Sequence, residues 1–265
     1  MGGTLRTQTS GTEGIRGAKD GRGGLGHVLS GVAVAVGFVL FLGAFAWGAF
    51  VYRPYTVPTD SMTPTVNPGD RVIAQRIDGG QVRRGDVVVF TDHLWSDSPM
   101  LKRVVGIGGD TVKCCDAGGK LTVNGKELDE PYLVHALPEG AQGIPQPASD
   151  TPFEVKVPED GLFLLGDRRA NSLDSRSHLQ EAGQGSVPRS AVQARVDALA
   201  WPAARMLERP AAYASLPGGT SRPGPLRLQL VAVVAGAALV LLGAAYGPLV
   251  RIFGRGRRRE PAGGR

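Results

Sequence analysis

Two stretches of the chain carry no charged residue, and the chain between them is broken into short apolar runs. Residues 28–52 read VLSGVAVAVGFVLFLGAFAWGAFVY, and residues 228–250 read LQLVAVVAGAALVLLGAAYGPLV. A bilayer core ~30 Å thick takes about 20 helical residues to cross, so each block is long enough. An ionised side chain at mid-bilayer is costly, and neither block holds one. Transmembrane helices at 28–52 and 228–250 are therefore expected. A cleavable signal peptide is the rival for the first block, since Ala44-Phe45-Ala46 has the small-x-small pattern of a cleavage site. The apolar run far exceeds the ~7–15 residues of such a signal, however. A buried hairpin is the rival for the second, but that block stands alone between a Pro/Gly stretch and an arginine cluster.

Between the blocks the apolar positions alternate or run continuously over short spans rich in β-branched residues, punctuated by Gly, Pro and Asp. Strands are expected at 71–77, 86–91, 101–107, 111–115, 120–123, 126–128, 153–157, 162–166 and 192–201. Asn124-Gly125 is the pair favoured in a two-residue type I′ hairpin. No amphipathic helical pattern of useful length interrupts them. The expectation is a mainly β fold, an antiparallel domain over 53–209 flanked by the two helices. Residues 137–152 read as a loop, and 210–227, with its Pro-Gly and Gly-Gly pairs, as a linker back to the membrane.

Charge then orients the chain. The formal net charge is +6. Residues 1–27 hold Arg6, Arg16, Lys19 and Arg22 against Glu13 and Asp20, and 251–265 hold six arginines against Glu260. Everything between carries a net −1, so the basic character lies in the tails and does not indicate nucleic acid. Basic segments beside apolar spans instead suit anionic membrane lipids. The positive-inside rule places both termini in the cytoplasm and the β domain outside, in a multi-pass plasma-membrane protein.

The four histidines have no paired-ligand spacing, and no HExxH occurs, so a zinc hydrolase lacks support. The two cysteines are the neighbours Cys114 and Cys115. A disulfide between neighbours is strained, and two thiolates alone make no zinc site, so a passive role is expected. Lys102 lies within the apolar segment 100–105. Burial would lower its pKa and let a neutral amine take a proton from a hydroxyl. Taken by itself, a lysine on the solvent face of a half-buried strand explains the residue more simply.

Three polar clusters change that balance. They are Pro58-Thr-Asp-Ser-Met-Thr-Pro-Thr-Val-Asn-Pro-Gly-Asp70, Leu101-Lys-Arg-Val-Val-Gly-Ile-Gly-Gly-Asp110 and Leu165-Gly-Asp-Arg-Arg-Ala-Asn-Ser-Leu-Asp-Ser-Arg176. Together with Arg84-Gly-Asp-Val-Val-Val-Phe90 they resemble, in order, the conserved blocks of bacterial type I signal peptidases. The second apolar block is similar to the carboxy-terminal anchor of some actinobacterial members. Departures include Thr59 where serine is common, Asp60 beside Ser61, Gly108 for proline, and Arg168 for asparagine.

The resemblance implies a Ser/Lys endopeptidase. Ser61 would be nucleophile, Lys102 general base and Ser172 the hydroxyl orienting the amine. The Thr59 hydroxyl and the Ser61 N–H would form the oxyanion hole. Asp174, Arg176 and Arg103 would be structural neighbours of the site, and Val57, Met62, Val66 and Leu101 would line pockets for small side chains. The implied partners are secretory preproteins cut after an Ala-x-Ala pattern, with no cofactor and no metal. Ser61 lies nine positions after Tyr52, so the nucleophile stays within ~30 Å of the first helix even on a fully extended chain. The rivals are a self-cleaving repressor-type Ser/Lys protease and a membrane-tethered, non-enzymatic β module that binds extracytoplasmic partners. Oligomeric state is not readable from the sequence.

Overall fold

The structure, a computed structural model, describes residues 22–136 and 147–256. Most of the loop expected at 137–152 and most of the basic residues of the two tails lie outside them. The chain forms two compact units, one from the helical segments up to Gly43 and from Val231, the other Ala44–Leu230.

The first apolar block is helix α1, Arg22–Val51. It ends one residue earlier than expected, because Tyr52 is a buried strand residue whose hydroxyl donates to Asp197 at 3.0 Å. The single-turn helix α2 covers Ala211–Ala214, and the second apolar block is α3, Leu226–Gly256. Within their unit, α1 and α3 meet through small residues. A Cβ on Gly37 would fall 2.8 Å from the Gly236 carbonyl oxygen, and Ser30 Oγ donates to the Gly243 carbonyl at 2.7 Å. Such small-residue contacts let apolar helices approach closely without a hydrophobic drive between them.

Apart from the adjoining ends of α1 and α3 and short helical turns, the other unit is β. Its strands are β1 Tyr52–Thr56, β2 Arg71–Arg76, β3 Val87–Asp92, β4 Ser96–Ile107, β5 Thr111–Cys114 and β6 Leu121–Val123. They continue as β7 Lys126–Glu127, β8 Phe153–Lys156, β9 Gly161–Leu165, β10 Ser186–Pro188, β11 Val192–Trp201 and β12 Arg205–Met206. The larger sheet runs β1-β2-β11-β3-β4-β9-β10 with β12 beside β11, and the smaller runs β7-β6-β5-β8. Every pairing is antiparallel. Asn124 and Gly125 both take positive φ between β6 and β7, the geometry a type I′ turn requires.

The continuous apolar run of β3 reflects its central place, with both faces covered. Val87 and Val89 join a core with Val57, Met62 and Val72, while Val88 and Phe90 join another with Val104 and Leu164. The first of these cores lies beneath the loop that carries Ser61. Cys114 and Cys115, expected to be an unfavourable pair, are joined as a disulfide at the end of β5.

The segment expected to be a free linker is instead docked on the β domain. Tyr213, Leu216 and Ser221 are buried, Arg84 Nη1 donates to the Pro217 carbonyl at 2.6 Å, and Ser221 Oγ donates to Asp86. The β domain therefore extends to Pro225. Pattern reading missed this because the segment's apolar residues hold one helical turn and no repeating period.

Candidate active site

Ser61 is held by the loop between β1 and β2. That loop closes at its base, where the Val57 N–H donates to the Asp70 carbonyl at 2.9 Å and the Gly69 N–H to the Val57 carbonyl at 2.8 Å. Gly69 turns the chain at φ +86°, a conformation that costs other residues energy. Inside the loop, Thr63 N–H donates to Asp60 and Val66 N–H to Met62, winding the segment into tight turns. Met62 and Val66 fill the core below, at 1% and 0% exposure, and so raise Ser61 toward β4.

Lys102 comes from β4, a strand hydrogen-bonded on both sides, where it pairs with Val88 of β3. Its Nζ donates to Ser61 Oγ at 2.7 Å. The side chain is 4% exposed, and burial lowers its pKa from 10.5 to about 8 against the raising effect of Asp174 and Asp167. A buried amine at that pKa is neutral in a useful fraction of molecules, and it is already in line to receive the hydroxyl proton.

The third cluster walls the other side. Arg168 N–H donates to the Ser61 carbonyl at 3.0 Å. Gly166 is needed for this approach, since a Cβ there would lie 2.1 Å from Ser172 Oγ and 2.6 Å from the Ser61 carbonyl oxygen. Burial pushes the Asp174 carboxyl up, but Arg176 and the Gly166 N–H hold it below the ordinary carboxylate range. Arg176 Nε and Nη2 meet its two oxygens at 2.9 and 2.8 Å. Arg103 forms the matching fork with Asp167 at 2.8 and 2.6 Å and stacks 4.4 Å from the Tyr132 ring. These buried pairs are bidentate, which supplies part of what desolvating them costs.

The expected residues gather unevenly. Thr59 Oγ1 lies 3.4 Å from Ser61 Oγ, and among the described residues no hydrogen bond uses the Ser61 N–H. Both donors are thus at the nucleophile and uncommitted to other strong bonds. Ser172 Oγ is buried beside the Asp174 carboxylate, which it helps to hold ionised, and the expected bond to Lys102 is not formed in this structure. Val57, Met62 and Leu101 line a groove of about 480 Å³ that opens at Ser61 and Lys102. Val66 does not; it points into the core with Val72 and Ala74. The groove is instead completed by Val72, Val89, Met100 and Leu173, which sequence reasoning did not find. The only signal for Val72 and Val89 was the alternation of their strands, which leaves open which face meets the loop.

Two of the departures from the resembled pattern meet in space. Asp60, beside the nucleophile, takes the Arg168 guanidinium as its ion partner, with Asn171 Nδ2 at 3.5 Å. Arg168 thus supplies a counter-charge to the carboxylate that Asp60 places beside the nucleophile. Among the described residues no group of His, Cys, Asp and Glu is placed to hold a metal ion.

Comparison with known proteins bears on this arrangement. Residues 29–201 match the model of the family described as signal peptidase, peptidase S26. The signal peptidase I S of Bacillus subtilis is 38% identical over 132 residues, 49% of this chain and 69% of that protein. The signal peptidase I of Mycobacterium tuberculosis is 30% identical over 221 residues, 67% of this chain and 72% of that protein. The signal peptidase IB of Staphylococcus aureus is 32% identical over 180 residues, 64% of this chain and 87% of that protein.

Proposed function

The chain belongs to the signal peptidase family, peptidase S26, and from that premise we propose that Ser61 and Lys102 are the dyad with which it removes signal peptides. The observation that carries the assignment is the 2.7 Å contact from Lys102 Nζ to Ser61 Oγ, made by an amine whose pKa burial has lowered to about 8. Family membership sets aside the non-enzymatic module.

In the proposed cycle, the neutral Lys102 amine takes the Ser61 proton as Oγ attacks the scissile carbonyl. The resulting ammonium returns that proton to the departing amine, leaving an acyl ester on Ser61. Lys102 then removes a proton from the water that hydrolyses the ester. The oxyanion is met by the Ser61 N–H and the Thr59 hydroxyl, a pair worth about 10²–10³ in rate per donor. Ser172 orients the amine, its buried hydroxyl lying beside the Asp174 carboxylate, whose charge also acts on the lysine. Asp174, Arg176 and Arg103 hold the wall around the lysine.

The substrate lies extended in the groove between residues 55–61 and 96–102, exchanging main-chain hydrogen bonds as an added strand. Val57, Val89, Met100 and Leu101 offer shallow apolar surface there above the buried Met62 and Val72, which suits an Ala-x-Ala pattern before the cut. The two apolar helices, Gly26–Val51 and Leu226–Leu249, anchor the enzyme in the membrane with both termini cytoplasmic.

The dyad is tested by cleavage of a preprotein and of an Ala-x-Ala peptide. Ser61→Ala and Lys102→Ala should abolish both with the fold intact. Lys102→Arg should be nearly as inactive, because a guanidinium stays protonated. Turnover in either alanine variant near the wild-type rate would end the assignment. The topology is tested by protease protection of a carboxy-terminal tag in right-side-out vesicles, where digestion without detergent would contradict it.

A further inference from the structure

The docked segment 210–225 ends by closing a second pocket, of about 420 Å³, against β2 and β11. It shares no lining residue with the groove at Ser61. Gln75, Gln81, Arg83, Arg195, Ser221 and Arg222 face it. Gly224 is what lets the segment lie so close, because a Cβ there would fall 2.1 Å from Asp197 Oδ2 and 2.5 Å from Gln75 Oε1.

The pocket is short of negative charge. Arg195 is 5% exposed. Its Nη2 donates to Gln75 Oε1 at 2.8 Å, but its Nε makes no hydrogen bond, the nearest carboxylate oxygen being Asp197 Oδ1 at 3.4 Å. Arg83 spends Nη1 on the Gly80 and Val82 carbonyls and has no ion pair among the described residues. Arg222 is exposed and, among the described residues, makes neither an ion pair nor a side-chain hydrogen bond. Behind them Arg209 reaches Asp197 at 2.8 Å and donates to Ser221 at 3.0 Å. Asp86 and Asp197 lie behind the pocket, both buried and already engaged by Ser221, Arg209 and Tyr52. Three arginines, Arg83, Arg195 and Arg222, thus line the pocket, and no carboxylate is among its lining residues. A concave site lined by guanidiniums, two of which (Arg83 and Arg222) have no carboxylate partner among the described residues, suits an oxyanion that can accept several charge-assisted bonds.

We propose that this pocket binds a phosphate group, drawn either from an anionic lipid headgroup or from free inorganic phosphate. Its place in the chain favours the lipid. Gln75 pairs with Tyr52, the residue after α1, and Pro225 directly precedes α3, so the pocket sits where both apolar helices join the β domain.

The test is thermal unfolding of the full chain in a nonionic detergent at ionic strength held constant with chloride. Dihexanoylphosphatidylglycerol, dihexanoylglycerol and inorganic phosphate are titrated against wild type and an Arg83→Gln/Arg222→Gln variant. A saturable rise in Tm with the phospholipid and none with dihexanoylglycerol identifies the lipid phosphate. A rise with inorganic phosphate alone identifies the free anion. In either case the apparent Kd should weaken by about tenfold or more in the double variant, as expected for losing two charge-assisted contacts. Peptide cleavage should be unchanged. Arg222→Gln alone, at an exposed residue with no bonds to lose, gives the same reading with a several-fold effect if the double variant is unstable. Equal rises with dihexanoylglycerol, no rise with either phosphate source, or an unweakened response in the variants would overturn the proposal.

Discussion

Tyr213 ties the carboxy-terminal segment to the nucleophile loop, and its removal should be felt in both stability and rate. The ring is 0% exposed and its hydroxyl donates to Glu130 Oε1 at 2.9 Å. Glu130 in turn accepts a fork from Arg169 at 3.0 and 2.7 Å, and Arg169 Nε donates to the Gly166 carbonyl at 3.1 Å. Gly166 is the residue packed against the Ser61 carbonyl. Tyr213→Phe keeps the packing and removes one donor to a buried carboxylate, a loss of about 1–3 kcal/mol. For a chain of this size that lowers Tm by about 2–12 °C. Tyr213→Ala adds a large cavity, for a total of about 3–5 kcal/mol or more. The assay is thermal unfolding of the full chain, followed by kcat on an Ala-x-Ala peptide below the transition. Truncation after Pro225 should leave unfolding of the β domain cooperative, whereas truncation after Arg209 should destroy it. A Tyr213→Ala protein melting within about 2 °C of wild type would refute the reasoning, since it allows less than about 1 kcal/mol for the whole network.

Three further outcomes are expected. Thr59→Val should lower kcat by about 10²-fold with little change in KM, and Thr59→Ser should retain activity; equal rates in the two would remove Thr59 from the oxyanion hole. Arg168→Ala should cost about two- to fivefold in kcat/KM by leaving Asp60 unpaired, and Asp60→Ala in the same chain should restore it, because the pair is partly exposed and its coupling small. A restored rate absent from the double variant would show that Arg168 acts on its own. Lys102→Met should stabilise the fold by up to about 3 kcal/mol at pH 7 while abolishing activity. The folded pKa of about 8 is below the ordinary 10.5, so the cost of burying the ammonium is full below pH 8 and fades as pH rises toward 10.5. Urea unfolding at pH 7 and above pH 10 should therefore show the advantage shrinking with pH.

The site was more legible in the sequence than its frame. Ser61, Lys102 and the 165–176 cluster stood out because their residue types and order resemble the blocks of one family, and the structure brings Ser61, Lys102, Asn171 and Leu173 to one groove. Strands such as β11 were legible to the residue, since alternation and β-branching mark a central antiparallel strand. β1 was hidden because Tyr52 prolongs the apolar run of α1 and Pro54 weakens a strand reading. Val66 was misplaced for a related reason: a loop has no period, so nothing in it distinguishes a groove wall from a core plug. The Asp60–Arg168 pair was visible only as two separate anomalies, because a contact spanning 108 positions leaves no local trace.

The central claim, a neutral Lys102 accepting the Ser61 proton, is tested most directly by the pH dependence of kcat/KM on an Ala-x-Ala peptide. With a pKa of about 8, about a tenth of the amine is neutral at pH 7, against less than about one part in a thousand for an ordinary lysine. The profile should rise tenfold per pH unit below 8, bend near 8 and level above it. Arg176→Gln should carry that bend to higher pH, since the Arg176 charge is among the influences lowering the lysine. A profile flat from pH 6 to 9, or one still climbing through pH 10 as an exposed lysine would require, would contradict the mechanism.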